Sequence, residues 1–193
     1  MAEPKDRKMD ILQAAIKVFS EKGFHEATIE DIAAEAKIAK GTTYLYFSSK
    51  NELFEEMIRY SITQYHDNII EKLSCEMSLK NKLLLLAELH GRFIAERIDL
   101  AQMIINSQST LVSKQMKYMM LEQKERMYTL VGKIIEDGIT KGEVRADIDK
   151  EIAALSVIGT INDYYIRKIF NKNNRKQHIE PMPVVDFLIK ALS

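Results

Sequence analysis

Apolar residues recur at three- and four-residue spacing along almost the whole chain, the period of a helix with one face on a core. Met9, Leu12, Ile16 and Phe19 mark a first helix over about residues 6–22, which Gly23 ends, glycine being favoured just past a helix carboxyl end. Thr28, followed by Asp31, predicts the start of a short second helix near residues 29–36. A third short helix is expected over residues 40–47. Ser49 with Glu52 fits the S-x-x-E capping box, so a fourth helix opens near Lys50 and runs to about Leu73. Further helices are expected over residues 79–97, 100–107, 111–141 (closed by Gly142), 150–171 (opened by Asp149) and 184–192. The basic, asparagine-rich stretch NKNNRKQHIEPMP separates the last two. The pattern predicts an all-α chain of nine helices without strands. The short helices suggest one domain over residues 1–50, and the long ones a larger domain over 51–193.

Composition narrows the classes. A length of 193 residues with 46% hydrophobic content can fill a core. Formal net charge is zero, so nothing global demands nucleic acid or membrane, and only local charge can. The single cysteine, Cys75, excludes an internal disulfide framework and fits a reducing cytosol. No basic start leads into an apolar run, and the longest such run, near residues 83–87, is too short to span a bilayer. A cytoplasmic location without membrane partners is expected. Catalysis is not: His25, His66, His90 and His178 lack metal-ligand spacing, Cys75 has no sequence neighbour to activate it, and no phosphate-cradling glycine pattern occurs. No cofactor and no metal are expected.

The segment with chemistry is IAKGTTYLYFSSKNELF, residues 38–54. Two short helices joined by a tight turn make a helix-turn-helix, whose second helix can lie in the major groove. Three lysines and no acid fall between Lys37 and Lys50. Hydroxyls and ammoniums suit phosphate oxygens, and threonine methyls or aromatic edges suit thymine methyls. Phe47 and Leu45 are expected to anchor the third helix, leaving Lys40, Thr42, Thr43, Tyr44 and Tyr46 for a partner. Tyr44 and Phe47 taken alone would more often be core residues.

Gly23-Phe24, Thr28, Ile32-Ala33, Ala36, Lys40-Gly41-Thr42, Tyr44, Tyr46-Phe47, Lys50 and Leu53 together resemble the DNA-binding domain of the TetR (tetracycline-repressor-like) regulators. The resemblance implies a three-helix reading head on a helical bundle. It implies that Thr28 and Lys50 grip phosphates, that Lys40, Thr42, Thr43, Tyr44 and Tyr46 line the groove-facing helix, and that Gly41 lets its start approach the backbone. Two positions depart from the pattern: Lys37 stands where glycine is usual in the turn, and Ala39 where a capping serine is common.

A lone reading head binds weakly, so a homodimer on a palindromic double-stranded operator is expected. Ile152, Leu155, Ser156, Gly159, Thr160, Val184, Phe187 and Leu188, on the last two helices, are the candidate interface, although the same stripes could pack within one chain. A methionine-rich middle suits an adaptable apolar pocket as well as a plain core. Its candidate lining is Phe93, Met103, Ile104, Gln108, Met116, Met119, Met120 and Tyr128, with Asn162 and Tyr165 as polar groups for an effector. The stretch IIEDGITKGEVRADIDKEIAALSVIGTINDYYI, with GTTYLYF upstream, is similar to the acyl-CoA-responsive, FadR-type regulators of fatty-acid metabolism. That resemblance implies a small-molecule effector of long-chain acyl-CoA type, with Arg92, Arg97, Lys114 and Lys117 as cations for its phosphates; by periodicity alone those charges are solvated helix faces. The competing class is a helical enzyme or ligand carrier that binds no DNA.

Overall fold

The computed structural model describes the backbone of residues 4–106, 113–171 and 178–193, and the side chains of 7–96, 113–169 and 178–193. Among these residues there are eight helices and no strand: α1 (Pro4–Glu26), α2 (Ile29–Glu35), α3 (Lys40–Tyr46), α4 (Lys50–Leu73), α5 (Leu79–Asn106), α6 (Lys114–Thr140), α7 (Lys150–Asn171) and α8 (Met182–Leu192). The class is all-α as expected, and the count of nine is corrected to eight. The helices expected over 79–97 and 100–107 are one, α5, because only Ile98 and Asp99 lie between them. With no glycine or proline there, nothing stops the hydrogen-bond ladder.

Local chemistry sets the ends. Gly23, at φ 77°, interrupts α1. Thr28 caps α2: its Oγ1 accepts from the Asp31 N–H at 3.1 Å, while the Asp31 carboxylate accepts from the Thr28 N–H at 3.0 Å. Gly142 follows α6 at φ 71°, and its N–H donates to the Ile139 carbonyl at 3.1 Å. Asp149 opens α7 by accepting from the Ile152 N–H at 2.9 Å. The expected box at α4 is half formed: Ser49 Oγ accepts from the Glu52 N–H at 3.1 Å, but the Glu52 carboxylate takes the Ser48 N–H, at 2.7 Å.

Packing divides the chain into two units, Met1–Gln64 with Arg97–Met120, and Tyr65–Glu96 with Leu121–Ser193. This grouping runs past residue 50, where helix length alone suggested a domain boundary. The first unit is built on Ile11, Phe19, Phe24, Ile32, Phe47, Phe54 and Met57. The rings of Phe24 and Phe54 meet at 4.9 Å and those of Phe19 and Phe54 at 5.3 Å, which fixes α1 against the start of α4. The second unit is built on Leu83, Ala87, Val131, Ile135, Val157, Ile161 and Val185. Among the described residues no helix is long and apolar enough to cross a membrane.

Candidate functional site

The tight turn forms at a cost. After α2 the Ala36 and Ile38 N–H groups return to the carbonyls of Ile32 and Ala33, both at 2.9 Å. To make that bend Lys37 adopts φ 56°, a left-handed conformation that glycine takes without strain. Ala39 then occupies the N-cap of α3 and offers no side-chain bond to it. Both departures from the family pattern therefore have structural consequences, and neither removes a group from the outer face of α3.

A seven-residue helix is too short to persist alone, so α3 stands by what it inserts. Phe47, its C-cap, is buried as expected. Thr43, one turn earlier on the same side, is 0% exposed and its Oγ1 has no hydrogen-bond partner. It cannot face a groove, which corrects its expected role. Leu45 is corrected the other way: expected as an anchor, it is 83% exposed. The outer face carries Lys40, Gly41 and Leu45 with Tyr44 at 48% exposure, flanked by half-buried Thr42 and Tyr46. Tyr46 leans on the first core.

Charge on this face is partly pre-paired. Lys40 forms an ion pair with Glu30 and lies 5.9 Å from the Tyr44 ring. Hydrogen bonding to Lys40 holds the Glu30 carboxyl below its ordinary pKa. Asp31 is held down at about 2, first by the Lys22 ammonium at 2.7 Å and then by Thr28. Thr28 is exposed, but its hydroxyl donates to Asp31 at 2.9 Å. Lys50 is a correction. Its ammonium donates to the carbonyls of Phe24, Ala27 and His25 at 2.7, 2.9 and 3.2 Å, so all three N–H groups are engaged in tying α4 to the end of α1. None remains for a phosphate.

The described members of the expected effector set divide between the two units. Met116 and Met119 fill the core of the first unit, with Met120 against it. In the second unit Tyr165 is buried, Phe93 stacks on Tyr65 at 4.1 Å between ring centres, and Asn162 Oδ1 lies 3.4 Å from His90 Nε2. Tyr128 lies on α6, along a groove of about 480 Å³ that also takes in Gly132 and Leu155. The side chains of Met103, Ile104 and Arg97, and Gln108 entirely, lie outside the described residues. Of the other proposed cations, Arg92 sits 3.9 Å from Glu88 and Lys114 lies 5.8 Å from the Tyr118 ring.

Sequence reasoning missed the polar chain at the centre of this unit. The Tyr65 hydroxyl donates to His90 Nδ1, and His90 Nε2–H points at Asn162, linking α4, α5 and α7. Burial pushes the His90 pKa down to about 4, so its ring is neutral, and burial raises that of Tyr65. No linear spacing relates positions 65, 90 and 162. Gly91 was a clue of another kind: a Cβ there would lie 2.1 Å from the Tyr165 ring, so only glycine lets α5 and α7 come this close.

On α7 and α8 the candidate interface divides. Val184 and Leu188 are buried in the second unit's own core, a correction, because α8 turns Val184, Val185, Leu188 and Leu192 inward together. Ile152 and Phe187 are 61% and 62% exposed, and Leu155 is exposed too. Ser156, Gly159, Thr160 and Phe187 line a shallow groove of about 660 Å³. Among the described residues no three histidines, cysteines, aspartates or glutamates converge as a metal site.

Known proteins agree with this architecture. Residues 11–57 match the model of bacterial regulatory proteins of the tetR family, and residues 76–166 match a tetracyclin repressor-like C-terminal domain. The fatty acid metabolism regulator protein of Bacillus subtilis (strain 168) is 25% identical over 171 residues, 89% of this chain and 88% of its own. The HTH-type transcriptional regulator YvdT of the same organism is 33% identical over 153 residues, 79% of this chain and 77% of its own. In fold, the chain is similar to the crystal structure of the transcriptional regulator FadR from Bacillus subtilis in complex with stearoyl-CoA, with a TM-score of 0.69, 23% identity and coverage of 94% and 95%. With a helix-turn-helix head matching one family model, a helical domain matching its partner, and a 33% identical regulator aligned over most of its length, this chain belongs to the TetR family of transcriptional regulators.

Proposed function

We propose that the chain is a ligand-responsive repressor that binds a palindromic operator as a homodimer and is released by an apolar or amphipathic effector of long-chain acyl-CoA type. The observation that carries the DNA half is the outer face of α3, where Lys40 and Tyr44 are exposed and Thr42 and Tyr46 half-exposed beside them, inside the segment matching the family's DNA-binding model. Duplex DNA offers phosphates to the ammonium and base edges to the phenols. Dimerisation is supported by the exposed apolar residues Ile152, Leu155 and Phe187 on α7 and α8, which a second copy would cover.

The effector half is supported by the relative named for fatty acid metabolism and by a fold similar to a regulator crystallised with stearoyl-CoA. An effector of this kind acts by preferring the form in which two reading heads are misspaced, and linkage then requires operator DNA to lower effector affinity by the same factor. The test is a selection of duplexes from a random pool with the purified chain, followed by native mass spectrometry with acyl-CoAs of several lengths. A palindromic consensus, and an acyl-CoA that binds the free chain but not the DNA complex, are expected. A chain that selects no duplex refutes the DNA half, and one that binds no acyl-CoA of any length refutes the effector half.

A further inference from the structure

Leu45 stands out among the large apolar side chains. At 83% exposed it is the most solvated of those on the described surface, ahead of Phe187 at 62%, and it lies on the helix proposed to enter a DNA groove. Two residues beyond buried Thr43, it projects roughly 160° away from it at 3.6 residues per turn. That places Leu45, with Gly41 one turn before it, at the crest of α3. Tyr44 and Lys40 fall to one side of the crest and Thr42 to the other. No Cβ at Gly41 would meet another atom within 4 Å, so the crest is open along its length.

An isobutyl side chain has no donor and no acceptor. It reads nothing on guanine, cytosine or adenine edges, and the one apolar group the major groove displays is the thymine C5-methyl. The surroundings select DNA as the covering partner: Lys40 beside the crest and Lys37 in the preceding turn are cations, and α3 itself carries no acid. We propose that Leu45 is a specificity-determining residue that packs on a thymine methyl in each half-site. The neighbouring phenols and Lys40 supply hydrogen bonds and phosphate contact, while Leu45 discriminates thymine from cytosine at one position. This inference rests on the DNA-binding reading, and its test separates the two.

The test uses the best duplex selected by the full-length chain and replaces each thymine of both half-sites in turn by deoxyuridine, which lacks only the methyl group. Binding is followed by fluorescence anisotropy for the wild type and Leu45→Ala. The variant keeps its fold because this side chain is 83% exposed and alanine favours the helix, and an unchanged circular dichroism melt checks that. At one symmetric position uracil weakens the wild type about fourfold per half-site, or about fifteenfold for both, the effect of one buried methyl. The same substitution leaves Leu45→Ala unaffected. A scan in which no thymine separates the wild type from Leu45→Ala overturns the assignment, as does a Leu45→Ala affinity equal to wild type on the unmodified duplex. Wild type that binds no duplex overturns the DNA reading itself, and this inference with it.

Discussion

Lys37, Lys40 and Lys50 lie within fourteen residues of one another, and the fold uses each differently. Lys37 bends the turn at φ 56°. Lys37→Gly relieves a left-handed conformation that costs a residue with a Cβ about 1–2 kcal/mol, less the greater freedom of glycine in the unfolded chain. A net gain of up to about 1 kcal/mol is expected in urea unfolding. Lys40 is the cation that can exchange its Glu30 partner for a phosphate. Lys40→Met should flatten the dependence of log affinity on log salt by about 0.9 for each phosphate no longer neutralised, hence about 1.8 per dimer. Lys50→Met should leave that slope at its wild-type value and lower stability instead, because three carbonyls lose their donor. Equal salt slopes for the two variants would show that this division of labour is mistaken.

At this scale the sequence was readable where the physics is local. Gly23, Thr28, Gly142 and Asp149 act through their own backbone neighbours: Gly23 breaks α1, which continues to Glu26 beyond it, and the ends signalled by the other three form. Thr43 and Leu45 are inverted because hydrophobicity alone sends leucine inward and threonine outward. In seven residues there is too little repeat to set the phase. The signal present was Phe47: once that ring is buried, i−4 puts Thr43 beside it.

Elements were legible from periodicity, down to the ends of α7, but packing among distant elements was not. The chain from Tyr65 on α4 through His90 on α5 to Asn162 on α7 joins residues far apart in sequence. Met116 and Met119, expected to line a pocket, are buried in the first unit's core with Met120 against it, because composition carries no direction. His90 gives this layer a pH signature. Its pKa falls from 6.5 to about 4, chiefly on burial, and that of His66 on α4, whose charge also disfavours a protonated His90, is lowered too, chiefly by burial. Between those two pH values the unfolded chain binds more protons than the folded one, so stability is full above pH 6.5 and declines as the pH drops toward 4. His90→Gln should flatten that decline in urea unfolding followed from pH 7.5 to 5. An identical decline in the variant would remove His90 from the explanation. Gly91→Ala should destabilise this unit at every pH, since a Cβ there would overlap Tyr165.

For the whole molecule, the proposed function depends on two heads held in register. Ile152 and Phe187 are large apolar groups left in water by the single chain, and covering them on both copies recovers about 1.5–3 kcal/mol for each side chain fully buried. Ile152→Glu with Phe187→Glu should yield a folded single copy in sedimentation velocity, with operator affinity lost along with the pairing. A variant that still pairs would place the interface elsewhere.

The most direct test is an anisotropy titration of the selected operator duplex with wild type and Tyr44→Ala, each checked by sedimentation for its copy number. A wild-type dimer that binds the duplex tightly is expected. The Tyr44→Ala protein should also be a dimer, with affinity weakened by at least about thirtyfold because one base interaction is missing in each half-site. Equal affinities for the two proteins, or a wild-type chain that remains a single copy both free and on DNA, would contradict a paired reading head built on α3.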